Sequence, residues 1–355
     1  MSALRAPRSG GKVRPARLTD LAALGELSRL AQSDGADTRS LGLPVNGPPI
    51  GVFSLFRLPL GAFRPNDLMY VYEEQGHIAG LIRVERESVR DEWTIVELDA
   101  VGMSNAGDIR YRLVQLLLRE GAKRGAARFH VACADADDNV ELLMQAGFMR
   151  YGEERIVFRS DDRPLPEPWA EERAAAARIR ATTPLDALPL SRLYTQATPQ
   201  PVARLEAFRL ADWERQGAHV RVPRSSLTPI LRFADVEGFV QSGPDGGRDG
   251  TILDAYVQVG VAKEDQPHYL KVVARPDADV SDLIDFGLGV IAAQTDKGGD
   301  HRRGRGVIAP VRTYESPIDR RMEDAGFDSI ASVILLMKET LVRVAEPALV
   351  PAGVR

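Results

Sequence analysis

A repeat limits what this 355-residue chain can fold into more than any other feature. The segment from Lys123-Arg124-Gly125 to Ala146-Gly147-Phe148 returns as Arg302-Arg303-Gly304 to Ala325-Gly326-Phe327, with the glycines 22 residues apart in both. The same offset of 179 carries Ile156-Val157-Phe158-Arg159 onto Leu335-Leu336-Met337-Lys338. Nearer the start, Val13 to Leu21 matches Ile179 to Ala187, and Leu24 and Leu27 fall on Leu190 and Leu193 at an offset of 166. The offset grows by 13, so the second copy carries about that many extra residues. The Gly/Asp-rich stretch Ser242–Gly250 is turn chemistry between two strand-like runs and is the expected place for them. The repeat divides the chain into a unit at 13–160, a Pro-rich linker at 161–178 and a unit at 179–344, with tails at 1–12 and 345–355.

Composition excludes several classes. With 44% hydrophobic residues the chain can bury a core, unlike a disordered polyelectrolyte. Lys plus Arg is 46 against Asp plus Glu at 50, a net charge of -4, which argues against a nucleic-acid-coating protein. No apolar run has the length of a membrane span, and the first residues lack the apolar region of a secretory signal. The one cysteine, Cys133, excludes an intrachain disulfide and fits a reducing, cytoplasmic location. Five scattered histidines give no metal signature.

The hydrophobic pattern gives both copies one order of elements. In the first, strands are expected at 13–17, 69–73, 78–84, 94–101, 128–134 and 156–159, with Gln75-Gly76 as a hairpin turn. Helices are expected after Asp20, over 109–124 and over 139–146. In the second, helices are expected over 185–195, 202–216, 281–294 and 317–325. Strands are expected at 231–241, 252–262, 268–275, 307–312 and 332–338. A short helix is expected at 171–178 in the linker. This is a mixed-sheet α/β layout.

That order resembles the GNAT superfamily of N-acetyltransferases. The marks are a strand, a loop and a long helix closed by Gly125, then a further strand, then a short helix ending in Leu142-Leu143-Met144-Gln145-Ala146-Gly147-Phe148. Met322 to Phe327 repeats the last mark, so the chain looks like a tandem GNAT protein. Locally, Gly147-Phe148 is a helix-capping glycine followed by a core aromatic. The resemblance implies acetyl-CoA as substrate and a small-molecule or peptide amine as acceptor. It implies no metal, nucleic acid or membrane, and a homo-oligomer is one arrangement it allows.

The implied site is degenerate in its motifs. A glycine-rich loop and helix N-terminus should wrap the CoA pyrophosphate. The first copy offers Ser104-Asn105-Ala106-Gly107-Asp108-Ile109-Arg110-Tyr111-Arg112 there, with Asp108 and Arg110 where glycines are expected. The acetyl-CoA residues that the resemblance implies are Val101, Gly107, Ile109, Arg110 and Arg112. The second copy has Arg275 to Leu283, with no glycine and three acids, which reads as a capped helix start. Arg302–Arg305 is a basic loop, read as solvated. The family's acidic Tyr is replaced by Leu143 and Met322, leaving Tyr111, Tyr151 and Tyr314 as substitutes. Candidate bases are Glu97 and Asp99, on one face of a strand at i and i+2. His130, His268 and Cys133 read as packed core residues.

Two functions follow. One is an acetyl-CoA-dependent N-acetyltransferase. The other is a catalytically degenerate member that binds a ligand or a protein partner. Parallel central strands splayed around an open groove would favour the first. The hydrophobic run Val52–Leu60 is a core, partner or lid segment, and acceptor choice would lie in Gly42–Pro65 and Pro199–Pro229.

Overall fold

The structure is a computed structural model and describes residues 11–20, 22–24, 27, 67–87, 90–101, 106–135, 138–214, 222–231, 233–243, 252–262, 266–298 and 306–340. Gly42–Pro65, Val52–Leu60, Ser104-Asn105, Arg302–Arg305, most of Ser242–Gly250 and the 345–355 tail lie outside the described residues.

The first copy opens with β1 (Lys12–Pro15) and a helical segment whose Leu24 and Leu27 are buried. Strands β2 (Asp67–Glu74), β3 (His77–Glu87) and β4 (Glu92–Ala100) form an antiparallel meander. Gln75 and Gly76, both at positive φ, make the tight turn that the sequence signals. Helix α1 (Ala106–Lys123) packs Ile109, Leu113, Val114 and Leu117 onto the sheet, and β5 (Arg128–Cys133) returns parallel to β4. Helix α2 (Asn139–Gln145) and β6 (Met149–Arg159) follow. Beyond the linker helix α3 (Glu171–Ala176), the second copy runs β7 (Ile179–Ala181), α4 (Ala187–Ala197), α5 (Gln200–Glu206) and α6 (Leu210–Glu214). It continues through β8 (Phe233–Ser242), β9 (Leu253–Ala262), β10 (His268–Ala274) and α7 (Ser281–Gly298). It ends with β11 (Val307–Arg312), α8 (Ser316–Asp324) and β12 (Asp328–Glu339).

The duplication is visible in local chemistry. Arg14 Nη1 meets Asp20 Oδ2 at 2.7 Å, and Arg180 Nη2 meets Asp186 Oδ1 at 2.6 Å. In each copy that aspartate also accepts the backbone N–H three residues upstream, from Arg17 or Thr183, at 2.7 Å. Both Ala-Gly-Phe sequences end their helix alike. Phe148 N–H reaches Leu143 O at 3.0 Å, and Phe327 N–H reaches Met322 O at 2.9 Å. Gly147 and Gly326 sit at φ 89 and 86, the left-handed conformation this ending needs. The starts of β2 and β8 are 166 apart and those of β3 and β9 are 176 apart, so most of the extra residues fall between β8 and β9. One detail departs from the sequence match. Phe129, Val131 and Cys133 of β5 face α1, whereas Val307, Ala309 and Val311 of β11 face α7. The structural equivalence there slips one residue from the 179 offset, which exchanges the two faces.

The strand order is β1-β2-β3-β4-β5-β12-β6-β11-β10-β9-β8-β7. Each copy therefore places its last strand in the other copy's half. Strand β12 pairs with β5 from Ile334↔Cys133 to Glu339↔Arg128, and β6 pairs with β11 from Val307↔Arg159 to Arg312↔Glu154. Side chains follow. Ile334 and Leu336 join the core under α1, while Val157 joins the core under α7. The segments 13–160 and 179–344 describe the repeat in the sequence, and the sheet interleaves them.

Two expected elements differ. The last strand of the first copy starts at Met149, not Ile156. Its first half, Met149 to Arg155, pairs with β12 and carries charged residues, so its pattern does not read as a strand. The expected helix 202–216 is two helices, broken at Ala207 (φ 44). Arg90 Nη2 takes the Glu206 carbonyl at 2.7 Å, the group a continuous helix would have used.

Candidate functional site

The two parallel strand pairs, one per copy, both part. Strands β4 and β5 are in register from Glu92↔Arg128 to Ile95↔Val131, then separate although β4 runs on to Ala100. A bulge at Val96 accompanies the parting, because Glu97 pairs with Arg83 but Ile95 with Val84. In the second copy, β10 and β11 share only His268↔Val307 and Tyr269↔Ile308. Splayed parallel strands, as expected from the sequence, are thus present in both copies.

The two splays differ in what fills them. In the second copy Lys271, 1% exposed, reaches from β10 and donates to Pro310 O of β11 at 3.3 Å and to Glu315 Oε2 at 2.8 Å. Arg312 N–H donates to the same Glu315 oxygen at 2.8 Å. The opening is thus bridged by a buried ion pair. At the start of α7, Asp279 Oδ1 accepts from Ser281 N–H at 3.1 Å and from Ser281 Oγ at 2.7 Å. A carboxylate of the chain itself sits where an anion would have to bind.

In the first copy the parting of β4 and β5 opens onto a narrow cleft with about 30 Å³ of free volume, room for a water molecule or two. Thr94, Val96, His130 and Ala132 line it from the face opposite α1, with Tyr151 from β6. The other wall comes from the second copy: Arg224 to Ser226, Pro229 and Ile230 of one loop, and Arg312 of β11. Part of the Pro199–Pro229 segment singled out in the sequence thus forms a wall of the cleft.

Beneath the cleft lies a buried charge network that spans the copies. Glu92 accepts from Arg90 Nη2 at 2.9 Å and Arg128 Nη1 at 3.3 Å, and pairs with Arg224. Arg312 pairs with Glu154 at 3.0 Å and Glu206 at 2.8 Å, and donates to Arg224 O at 3.0 Å. Glu154 in turn accepts from Ser226 N–H at 2.8 Å, and Tyr194 donates to Glu206. Burial alone would raise the Glu92 carboxyl, but Arg224, His130 and Arg90 together hold it well below the usual range. Burial lowers His130 to about 4 and pushes the Tyr151 hydroxyl upward. Sequence reasoning missed Glu92, Arg224, Arg312, Glu154 and Glu206, since their partners lie far off in the chain, 132 residues away for Arg224 and Glu92.

The sequence-predicted residues are placed as follows. Glu97 and Asp99 lie on β4 past the bulge, buried and adjacent, with Arg83 Nε 3.1 Å from Glu97. Burial raises both, and Glu97 beside Asp99 helps push the latter well above its ordinary value. Tyr151 lines the cleft, with its ring 6.5 Å from that of His130. Val101 donates its N–H to Ala79 O at 2.9 Å and Ile109 is in the core. Arg110 is buried and donates to Asn139 Oδ1 at 2.5 Å. Arg112 is exposed and paired with Asp108 at 2.9 Å. Gly107 is in the first turn of α1 with open space beside it. The structure therefore brings Glu97, Asp99 and Tyr151 to the sheet face opposite α1, while Ile109, Arg110 and Arg112 have other partners.

Leu143 and Met322, at the family's tyrosine position, are core residues. Tyr111 packs against the core of the first copy, and burial pushes the Tyr314 hydroxyl upward. His268 Nδ1 accepts Ala262 N–H at 3.1 Å. Cys133 is buried and its thiol is pushed up to about 12. Among the described residues no cluster could hold a metal ion, and no helix is long and apolar enough to cross a membrane.

No protein-family model and no curated protein matches the chain. Solved structures do. A tandem GNAT protein from the clavulanic acid biosynthesis pathway is 14% identical, covers 93% of this chain and 98% of its own, and superposes with a TM-score of 0.51. A GCN5-related N-acetyltransferase from Sphaerobacter thermophilus is also 14% identical, covers 94% and 97%, and gives 0.50. At such identity the likeness is one of fold, and the chain has a tandem GNAT-like fold.

Proposed function

We propose that the chain is an acyl-CoA-dependent N-acyltransferase whose acyl groove is the opening between β4 and β5. In this reading the second copy is non-catalytic and walls the site. The observation that carries the proposal is the contrast between the splays. One opens onto a narrow cleft, and the other is bridged by Lys271.

The parted edge of β4 offers backbone groups to an extended ligand. The pantetheine arm of CoA carries amides that can add to such an edge as a strand would. Its thioester would end at the cleft, beside Val96, His130 and Tyr151. An amine attacks the thioester carbon, the C–S bond breaks, and the amine loses a proton. Tyr151, kept protonated by burial, suits the acid that meets the departing sulfur. The Glu97–Asp99 pair, with one proton shared between them, is a reservoir further along the strand. The acyl group is read as acetyl from the fold, and the acceptor as a small-molecule or peptide amine.

Calorimetry with acetyl-CoA tests the proposal. Saturable binding in the micromolar range that Ala132→Phe abolishes, by filling the opening, is expected. Absence of binding to the native chain would refute it.

A further inference from the structure

We infer that His130 is the base that takes the acceptor's proton, oriented by Glu92 and, through Glu92, by Arg224 of the second copy. The inference rests on the acyltransferase reading and adds to it the residue that performs proton transfer.

Position comes first. Thr94↔His130 is the last pair but one before β4 and β5 part, so His130 stands where a thioester entering the splay would end. Its side chain lines the cleft although the residue is only 3% exposed. Nε2 lies 3.3 Å from Glu92 Oε2, an ion-pair distance at which a hydrogen on Nε2 would face the carboxylate. Among the described residues neither ring nitrogen has a hydrogen-bond partner, so Nδ1 is left to accept from a group in the cleft. A buried polar atom without a partner is uncommon and has a physical cost, and an acceptor N–H in the cleft would satisfy it.

The carboxylate is itself fixed. Arg90, Arg128 and Arg224 surround Glu92, so it stays ionised and draws a proton toward His130, while burial and the Arg224 charge oppose a lasting imidazolium. The other charged or titratable groups facing the imidazole are Arg312 and Tyr151 in the cleft wall and Glu206 from α5. Arg224 holds Glu92 from across the copy boundary and is a positioning residue. The second copy thereby has a chemical task, even though its own splay is bridged.

The step balances. The amine nitrogen bonds to the thioester carbon, the C–S bond breaks, and its electron pair leaves on sulfur. The amine proton passes to His130 Nδ1, Tyr151 gives its proton to the departing sulfur, and the proton on His130 returns to the Tyr151 oxygen, giving amide and free CoA.

The test follows thiol release from acetyl-CoA with hydroxylamine as a small neutral amine, on the full chain. Acetyl-CoA affinity is measured in parallel by calorimetry. The native chain should accelerate release over background. His130→Gln should lower the rate by at least about 100-fold while leaving acetyl-CoA affinity within a few-fold. Arg224→Met should lower the rate and move its pH profile, and Arg224→Lys should restore part of it. Undiminished release by His130→Gln overturns the inference, as does an acetyl-CoA-binding native chain that shows no acceleration. Should His130→Gln unfold, His130→Asn with a thermal melt serves the same comparison. Failure to bind acetyl-CoA at all would instead refute the acyltransferase reading.

Discussion

Lys271 Nζ donates to Glu315 Oε2 at 2.8 Å, tying β10 to the segment after β11 at the point where the second copy would have to admit a ligand. Removing one partner of such a buried pair leaves an uncompensated charge. Lys271→Met should cost about 3–5 kcal/mol in urea unfolding. Lys271→Met with Glu315→Gln should cost clearly less than the two single changes added together. Additive costs would mean that the two residues are not coupled.

The interleaved strands predict how the chain responds to cutting. A fragment ending at Ser160 lacks β12, so β5 and β6 lose the strand between them. Such a fragment should fail to give a cooperative monomeric unfolding transition. Co-expression of 1–178 with 179–355 should restore a folded complex, checked by sedimentation and circular dichroism. A stable, monomeric 1–160 would contradict the strand order.

Asp99 gives a pH prediction. Its folded-state value lies well above the ordinary carboxyl range, because of burial and the neighbouring Glu97. The folded chain thus binds a proton that the unfolded chain releases above pH ~4. That contribution is complete below the unfolded value and is lost as pH rises toward the folded value. Asp99→Asn should therefore gain stability relative to the native chain as pH rises from 5 to 9, measured by urea unfolding at each pH.

His130 behaves in the opposite sense. Burial holds it neutral down to about pH 4, below its ordinary 6.5. The unfolded chain takes up a proton that the folded chain refuses, so stability falls as pH drops from about 6.5 to 4. The loss from this group is up to about 3 kcal/mol. His130→Gln should flatten that part of the stability curve.

Much of the fold was legible because it is local. The Gln75-Gly76 turn, the Gly-Phe helix endings and the Leu spacing of α1 are set by neighbouring residues. The strand exchange was not legible. Nothing in Ile156–Arg159 or Leu335–Lys338 says which copy's edge each will join, since both edges accept an antiparallel apolar strand. The site divides the same way. The shared face of Glu97 and Asp99 is legible because residues i and i+2 on a strand point the same way. The pairing of Glu92 with Arg224 is not, because it depends on a loop of one copy folding against a strand of the other. Arg110, which the resemblance places among the acetyl-CoA residues, donates to Asn139, a contact 29 residues away that the helix pattern does not signal.

The central claim is that one copy is open to an acyl-CoA and the other is closed. Isothermal titration of the full chain with acetyl-CoA tests it most directly. One site per chain, lost in Ala132→Phe and retained in Lys271→Met, is the expected result. No binding, or two sites per chain, would contradict it.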